Sequence, residues 1–189
     1  MRKVIVHEYV SIDGFAADMN GDLDFLGAVS GEVDRLMLRE LEGIDTILLG
    51  ARTYELFVGF WPTPDSSDEL IAERLNATPK VVFSTRLRSA PWGDWPAARL
   101  DSSGRARDSV AELKRQPGGS MIVWGSISLA QMLMDTGLVD EVWLGVAPVA
   151  LGEGRRLFVG HNNLELIGAE SFADSGITML RYRPVGVES

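Results

Sequence analysis

The amino-acid sequence predicts one α/β domain: a mainly parallel sheet covered by helices on both faces, with an antiparallel hairpin at one edge. Three observations carry this expectation. Short apolar runs of strand length alternate with longer stretches of helical spacing, the order that builds parallel sheets with crossover helices. Several runs, such as Val81-Val82-Phe83 and Met121-Ile122-Val123-Trp124, are apolar throughout, as strands buried on both faces are. No linker-like or low-complexity segment divides the 189 residues, a length that suits one domain.

Residues 3–10 (KVIVHEYV) form the first strand, followed by a loop with the turn signals Asp13-Gly14 and Asn20-Gly21. From Gly31 to Leu41, Val33, Leu36, Met37 and Leu41 recur at i, i+3, i+4 and i+8, the stripe of an amphipathic helix. Thr46–Gly50 is the second strand, and a helix opens at about Arg52–Thr53 and runs to about Phe60, where Trp61-Pro62 stops it. Residues 67–76 read as a short helix ahead of Pro79, Lys80–Ser84 as the third strand, and 87–97, with Pro91, Trp92, Trp95 and Pro96, as loop. A short strand at Arg99–Asp101 precedes a helix at 107–116, closed by Pro117-Gly118-Gly119. Met121–Trp124 is another buried strand, Ser126–Asp135 a helix and Asp140–Ala147 a further strand. Gly152-Glu153-Gly154 reads as a turn, and the chain closes on the hairpin Leu164–Phe172 and Ile177–Arg183, turned at Asp174-Ser175-Gly176.

Composition narrows the function. Twenty-seven acidic residues against 18 basic leave a net charge of -9, with no basic run to form a nucleic-acid face. An anionic ligand would be held locally, by helix N-termini and a few arginines. The lack of cysteine excludes a disulfide scaffold, a thiol nucleophile and Cys-ligated zinc. With His7 and His161 as the only imidazoles, no multi-His metal site is expected within one chain. The sequence enters a strand pattern at Val4-Ile5-Val6 without a signal-peptide core, and no apolar run has membrane-spanning length. A cytoplasmic protein with no membrane partner is the expectation.

Three junctions at strand ends carry the candidate chemistry. In IDTILLGARTYEL (44–56), an apolar strand stops at Gly50 and a helix begins. The helix-start N–H groups, the dipole, the Arg52 cation and the Thr53 hydroxyl make a phosphate seat; alternatively Gly50 only makes the turn and Thr53 only caps the helix. In VVFSTRL (81–87), Ser84, Thr85 and Arg86 place two hydroxyls and a guanidinium at a strand's carboxyl end, where ligands of open α/β sheets bind, or else form a solvated loop. In MIVWGSISLAQML (121–133), Gly125 allows a ligand near the backbone, and Ser126 or Ser128 caps the helix that starts there. This is not the GxGxxG fingerprint.

The residues also carry a family resemblance. The stretches VSIDGFAA (10–17), LLGARTYELF (48–57), FWP (60–62), VVFSTRL (81–87), VWGSISLAQML (123–133) and GLVDEVWLGVAPVALGEGRRLF (137–158) occur in family order over most of the chain. On them the chain resembles the dihydrofolate-reductase-like superfamily, and most closely stand-alone proteins similar to the C-terminal reductase domain of riboflavin-biosynthesis deaminase/reductases. The resemblance implies an NADPH-binding fold with a central, mostly parallel, eight-stranded sheet, and a homodimer; the Met-rich helix Gln131–Met134, whose Met132 and Met134 cannot both face the same core, adds weak support. It implies NADPH phosphates on Gly50, Arg52 and Thr53 and on Gly125, Ser126, Ile127, Ser128 and Leu129. The adenosine end would lie near Ser84, Thr85 and Arg86, with Arg86 or Arg52 for the 2′-phosphate. The first strand and the Asp13-Gly14 loop would border nicotinamide and substrate. Two departures stand out: Gly125-Ser126 where relatives often have Gly-Gly, and Ala51 where many have a second arginine.

The implied reaction is hydride transfer from NADPH to a C=N or C=O of a pterin or pyrimidine-like heterocycle, which needs a held nicotinamide and a proton donor. Asp34 falls where dihydrofolate reductases keep their substrate-binding acid; the alternative is an exposed helix acid beside Glu32 and Arg35. Asp13 is the other candidate acid, or the start of an Asx turn. His7 and Glu8 alternate faces on the first strand, one of them toward the pocket. Trp61, Trp92 and Trp95 stack on a ring or pack their loop down. Arg155 and Arg156 form a second basic pocket or an exposed turn pair. A reductase of other small carbonyl or imine compounds, and a nucleotide-binding protein without turnover, are the competing readings.

Overall fold

A computed structural model describes residues 1–26 and 31–186. Its centre is an eight-stranded sheet formed by β1 (Val4–Ser11), β3 (Ile44–Gly50), β4 (Lys80–Phe83), β5 (Arg99–Asp101), β6 (Ser120–Trp124), β7 (Glu141–Ala147), β9 (Leu164–Ser171) and β10 (Thr178–Pro184). The order across the sheet is β5-β4-β3-β6-β1-β7-β10-β9. Every pair from β5 to β7 is parallel, while β10 pairs antiparallel with β7 and β9. This is the mostly parallel sheet with a C-terminal hairpin that the apolar runs predict.

Side-chain parity along the strands divides the core into two halves. Ile5, Ile47, Leu49, Ile122 and Trp124 face helices α1 (Gly31–Leu41), α2 (Ala51–Val58) and α3 (Ala72–Ala77), burying Val33, Leu36, Met37, Tyr54 and Leu75. Val4, Val6, Leu48, Met121 and Val123 face α4 (Ala106–Arg115) and α5 (Ile127–Asp135), burying Val110, Leu113, Ala130 and Leu133. The inner strands β3 and β6 are buried on both faces because each face is covered.

Element bounds differ from expectation where side chains compete for the backbone. The helix α2 begins at Ala51 and ends at Val58, short of Phe60. Where a helix at 67–76 was expected, α-helix runs only from Ala72 to Ala77; ahead of it a 3₁₀ turn at Pro64–Ser66 is held by Thr63 Oγ1, which accepts the Asp65 N–H, and by Ser66 Oγ, which donates to Trp61 O at 2.6 Å. The loop 87–97 is pinned by Trp92, fully buried, whose Nε1 donates to Asn76 Oδ1 at 2.7 Å beneath the Lys80 ammonium. That is the packing alternative for this tryptophan.

One element was not expected. Strands β2 (Phe15–Ala17) and β8 (Arg155–Arg156) pair antiparallel in a small second ribbon. Gly154 permits it: a Cβ there would stand 2.3 Å from the Ala17 carbonyl oxygen. Runs of two and three residues carry no periodicity, and their partners are about 140 residues apart, so the ribbon leaves no local signal.

Candidate functional site

The strand order opens a cleft. Pairing of β1 with β6 ends at His7↔Trp124, but β1 runs on beside β7 to Ser11↔Ala147. Beyond the carboxyl ends of β6 and β3, β1 therefore has no strand on that side, the place where open α/β sheets bind ligands. A cleft of about 800 Å³ lies there, bordered by the ends of β1, β3 and β6, the first turns of α2, α4 and α5, and β8.

Its floor joins two of the expected junctions. Gly125 and Ser126 both adopt left-handed backbone (φ 63° and 65°), and Ser126 is the only non-glycine residue to do so among the described residues. A serine in that region costs on the order of 1 kcal/mol. Its hydroxyl accepts the Gly50 N–H at 2.9 Å, so the β3–α2 and β6–α5 turns are tied together. This corrects the capping expectation: neither Ser126 nor any other side chain caps α5, and none caps α2 at Gly50. Gly125 packs on the Thr53 methyl, which a Cβ at Gly125 would approach to 3.1 Å. The first turns of both helices, with Arg52 and Thr53 on one and Ile127, Ser128 and Leu129 on the other, border the cleft uncapped.

Around this floor stand four arginines, Arg52, Arg105, Arg107 and Arg155, against one carboxyl group, Glu8, among the described residues bordering the cleft. A chain of net charge -9 thus concentrates cations at this opening. Arg52 also donates to the Asn20 carbonyl, tethering the loop that Asp18 folds through the amides of Gly21 (2.7 Å) and Asp22 (2.8 Å). Of the Arg155–Arg156 pair, Arg155 borders the cleft. Arg156 instead lies 4.3 Å over the Phe15 ring and donates to Asp13 O.

Ser84, Thr85 and Arg86, the residues expected at the adenosine end, do not border the cleft; Phe83 and Gly104–Arg107 do. The Ser84 hydroxyl accepts the amides of Arg86 (3.2 Å) and Leu87 (3.1 Å), so it folds its own turn, and the Thr85 methyl faces Gly104. The residues missed, Arg105 and Arg107, follow β5 through Gly104 into α4. This is a strand–glycine–helix junction of the same kind as those at Gly50 and Gly125.

The two expected acids lie elsewhere. Asp34 is buried on α1 and is not among the residues bordering the cleft. Burial, and then Glu69, push its pKa up to about 6. Asp34 also sits near enough to Tyr9 to raise the phenol, already pushed up by burial. Asp13 is a staple. Its carboxylate accepts from Ser11 Oγ (2.6 Å), Gly152 N (2.7 Å) and Leu151 N (3.1 Å), which hold it down at about 2. A carboxyl ionised at neutral pH is no proton donor. Asp13→Ala is expected to lower the melting temperature and to speed amide exchange at Leu151 and Gly152, measurable by hydrogen–deuterium exchange, while leaving ligand affinity within about twofold. Met132 borders the cleft, and Met132 and Met134 pack toward the α5-side core, so neither forms an outward patch.

On β1, His7 and Tyr9 share one face and Glu8 the other, and all three border the cleft. Burial lowers the His7 pKa to about 3 and raises that of Glu8 to about 8, so both are neutral near pH 7. The His7 ring is packed edge-on between Tyr9 and Trp124. An apolar wall of Leu23, Leu26, Leu56, Phe57 and Trp61 completes the opening.

A three-layer α/β sheet of this order, with joined glycine turns beneath one arginine-rimmed cleft, defines a dihydrofolate-reductase-like protein. Within that class the model of the RibD C-terminal domain matches residues 2–179, and the chain belongs to that family. The uncharacterized protein YyaP of Bacillus subtilis (strain 168) is 31% identical over 187 residues, covering 96% of this chain and 94% of YyaP. The structure of a diaminohydroxyphosphoribosylaminopyrimidine deaminase/5-amino-6-(5-phosphoribosylamino)uracil reductase from Thermotoga maritima superposes with TM-score 0.66 at 18% identity, over 97% of this chain and 57% of that one. Dihydrofolate reductase from Enterococcus faecalis, complexed with NADP(H), superposes with TM-score 0.63 at 12% identity over 97% of each chain. At these identities the two structures speak to the fold. No helix among the described residues is long and apolar enough to cross a membrane.

Proposed function

We propose that this protein is an NADPH-dependent reductase of a small planar heterocycle of the pterin or pyrimidine kind, working as a homodimer. The observation that carries the reading is the joined floor of Gly50, Gly125 and Ser126, facing two uncapped helix N-termini and four arginines. These residues fit a dinucleotide. Helix-start amides and guanidinium groups are donors suited to phosphate oxygens, and Gly125 leaves room that a Cβ would take from Thr53. Gly50, Arg52 and Thr53 would hold one phosphate and Gly125–Leu129 another, with Arg105 and Arg107 receiving the 2′-phosphate in place of Arg86. When bound, the cofactor supplies hydride; the chain binds, orients and excludes water. The reductases of the family and the NADP(H) complex of the E. faecalis enzyme support this reading. The apolar wall of Leu56, Phe57 and Trp61 favours an uncharged ring over a sugar phosphate at that end. It also keeps small carbonyl and imine compounds as a second substrate class.

The test is a tryptophan-fluorescence titration with NADPH and NADH, for which Trp61 and Trp124 border the cleft as reporters. Arg107→Ala and Arg105→Ala are each expected to weaken NADPH at least tenfold, the worth of a lost charge-assisted hydrogen bond of about 1.5–3 kcal/mol. NADH should be unaffected. Folded protein that binds neither nucleotide would overturn the reductase reading.

A further inference from the structure

We propose that Glu8 is the proton donor of the reduction, the acid that meets the acceptor's nitrogen or oxygen in the cleft; this rests on the reductase reading above. Three features of the geometry carry it. Glu8 is 5% exposed yet borders the cleft, and its Oε1 has no hydrogen-bond partner; His7 beside it is 0% exposed with Nδ1 and Nε2 also unpartnered. Buried polar atoms nearly always have partners. An unpartnered carboxyl oxygen at the edge of the cleft marks a place where a ligand supplies the partner. Glu8 also follows directly on the last β1–β6 pair, His7↔Trp124, so the sheet opens beside it on that edge while β7 continues on the other at Leu144. Finally, it is the one carboxyl group bordering the cleft among the described residues.

The surroundings suit an acid held in reserve. The titratable and charged groups around the cleft are His7 and Tyr9 on β1, Arg52 on α2, Arg105 and Arg107 at the start of α4, and Arg155 on β8; α5, β3 and β6 bring none. Burial favours the acid, holding Glu8 protonated up to a pH of about 8. His7 is neutral, and a neutral imidazole is too weak an acid to compete. In the step itself, the Glu8 O–H bond breaks and an N–H or O–H bond forms on the acceptor. The new bond uses the π pair of the C=N or C=O displaced as hydride from the reduced nicotinamide reaches the carbon. The acceptor is reduced by two electrons, the nicotinamide oxidised by two, and the Glu8 carboxylate retakes a proton from water at the cleft mouth.

The test compares wild type with Glu8→Gln and Glu8→Asp by three readouts: NADPH affinity from fluorescence, single-turnover oxidation of NADPH with dihydrofolate as the probe acceptor, and carboxyl infrared difference spectra of the NADPH complex. The expected result is NADPH affinity within twofold for both variants. Glu8→Gln should lose about 100-fold or more in the oxidation rate, with Glu8→Asp in between, and the wild-type rate should fall above a pH of about 8. A Glu8→Gln rate and pH profile like wild type would overturn the role of Glu8 and leave the reductase reading standing. Wild type that binds no NADPH would overturn both. Where NADPH binds and dihydrofolate is not reduced, the infrared arm decides. A protonated-carboxyl band at pH 7 that vanishes in Glu8→Gln supports the proposal, and its absence from wild type overturns it.

Discussion

Gly125→Ala is expected to cost about 2–3 kcal/mol of folding stability and to weaken NADPH by about 100-fold. Two effects add. At φ 63° an alanine pays the left-handed penalty of roughly 1–2 kcal/mol that glycine escapes. Its Cβ would also stand 3.1 Å from the Thr53 methyl, tight enough to push the first turn of α2 away from the β6–α5 turn. That movement would stretch the Ser126–Gly50 hydrogen bond joining the two junctions, so binding should suffer beyond the loss of stability. Urea melts and the fluorescence titration read the two effects separately. A variant as stable as wild type and binding equally well would show that the turn tolerates a side chain and that the cradle does not depend on it.

The second large effect is in the pH dependence of stability, and Glu8→Gln isolates it. The Glu8 pKa rises on folding from the ordinary 4.5 to about 8. Between those values the unfolded chain releases the proton and the folded chain keeps it, so wild type loses stability against Glu8→Gln as pH rises. The slope is at most about 1.4 kcal/mol per pH unit, and the difference flattens above a pH of about 8. By pH 7 it amounts to about 3 kcal/mol. His7 acts with the opposite sign: its pKa falls on folding from 6.5 to about 3, so its contribution is full above 6.5 and is lost as pH falls toward 3. From this pair alone, stability rises from about pH 3 to 4.5, is level to 6.5 while the two slopes cancel, and then declines toward 8. Denaturation curves at pH 5, 6, 7 and 8 check it. Parallel profiles for the two proteins would mean that Glu8 is not held neutral by the fold.

Much of this architecture is legible in the chain because each main strand carries its own apolar signal. Lys80–Phe83 and Ser120–Trp124 read as buried strands since the fold covers both their faces. The turn chemistry is also local: Gly50 and Gly125 stand where strands end and helices begin, whatever the fold around them. What stays hidden is partnership. Ser84, Thr85 and Arg86 have the right chemistry at the right kind of junction, yet Ser84 spends its hydroxyl on its own turn. Arg105 and Arg107 sit at an equally good junction and reach the cleft. Asp13 reads as a turn residue, and only the chain's return at 151–152 makes it a staple.

The sequence by itself determined the elements, their order and the glycine turns, because period, apolar content and backbone freedom are properties of neighbouring residues. The tertiary structure alone decided which turns meet. By inserting β6 between β3 and β1, the strand order brings Gly50 and Ser126 into contact and leaves Glu8 at the opening beyond Trp124. Alternation along a strand says that His7 and Glu8 face opposite ways. That both are buried without a hydrogen-bond partner, and that Glu8 stands at the opening, depends on where the neighbouring strand stops, a distance set by residues more than a hundred positions away.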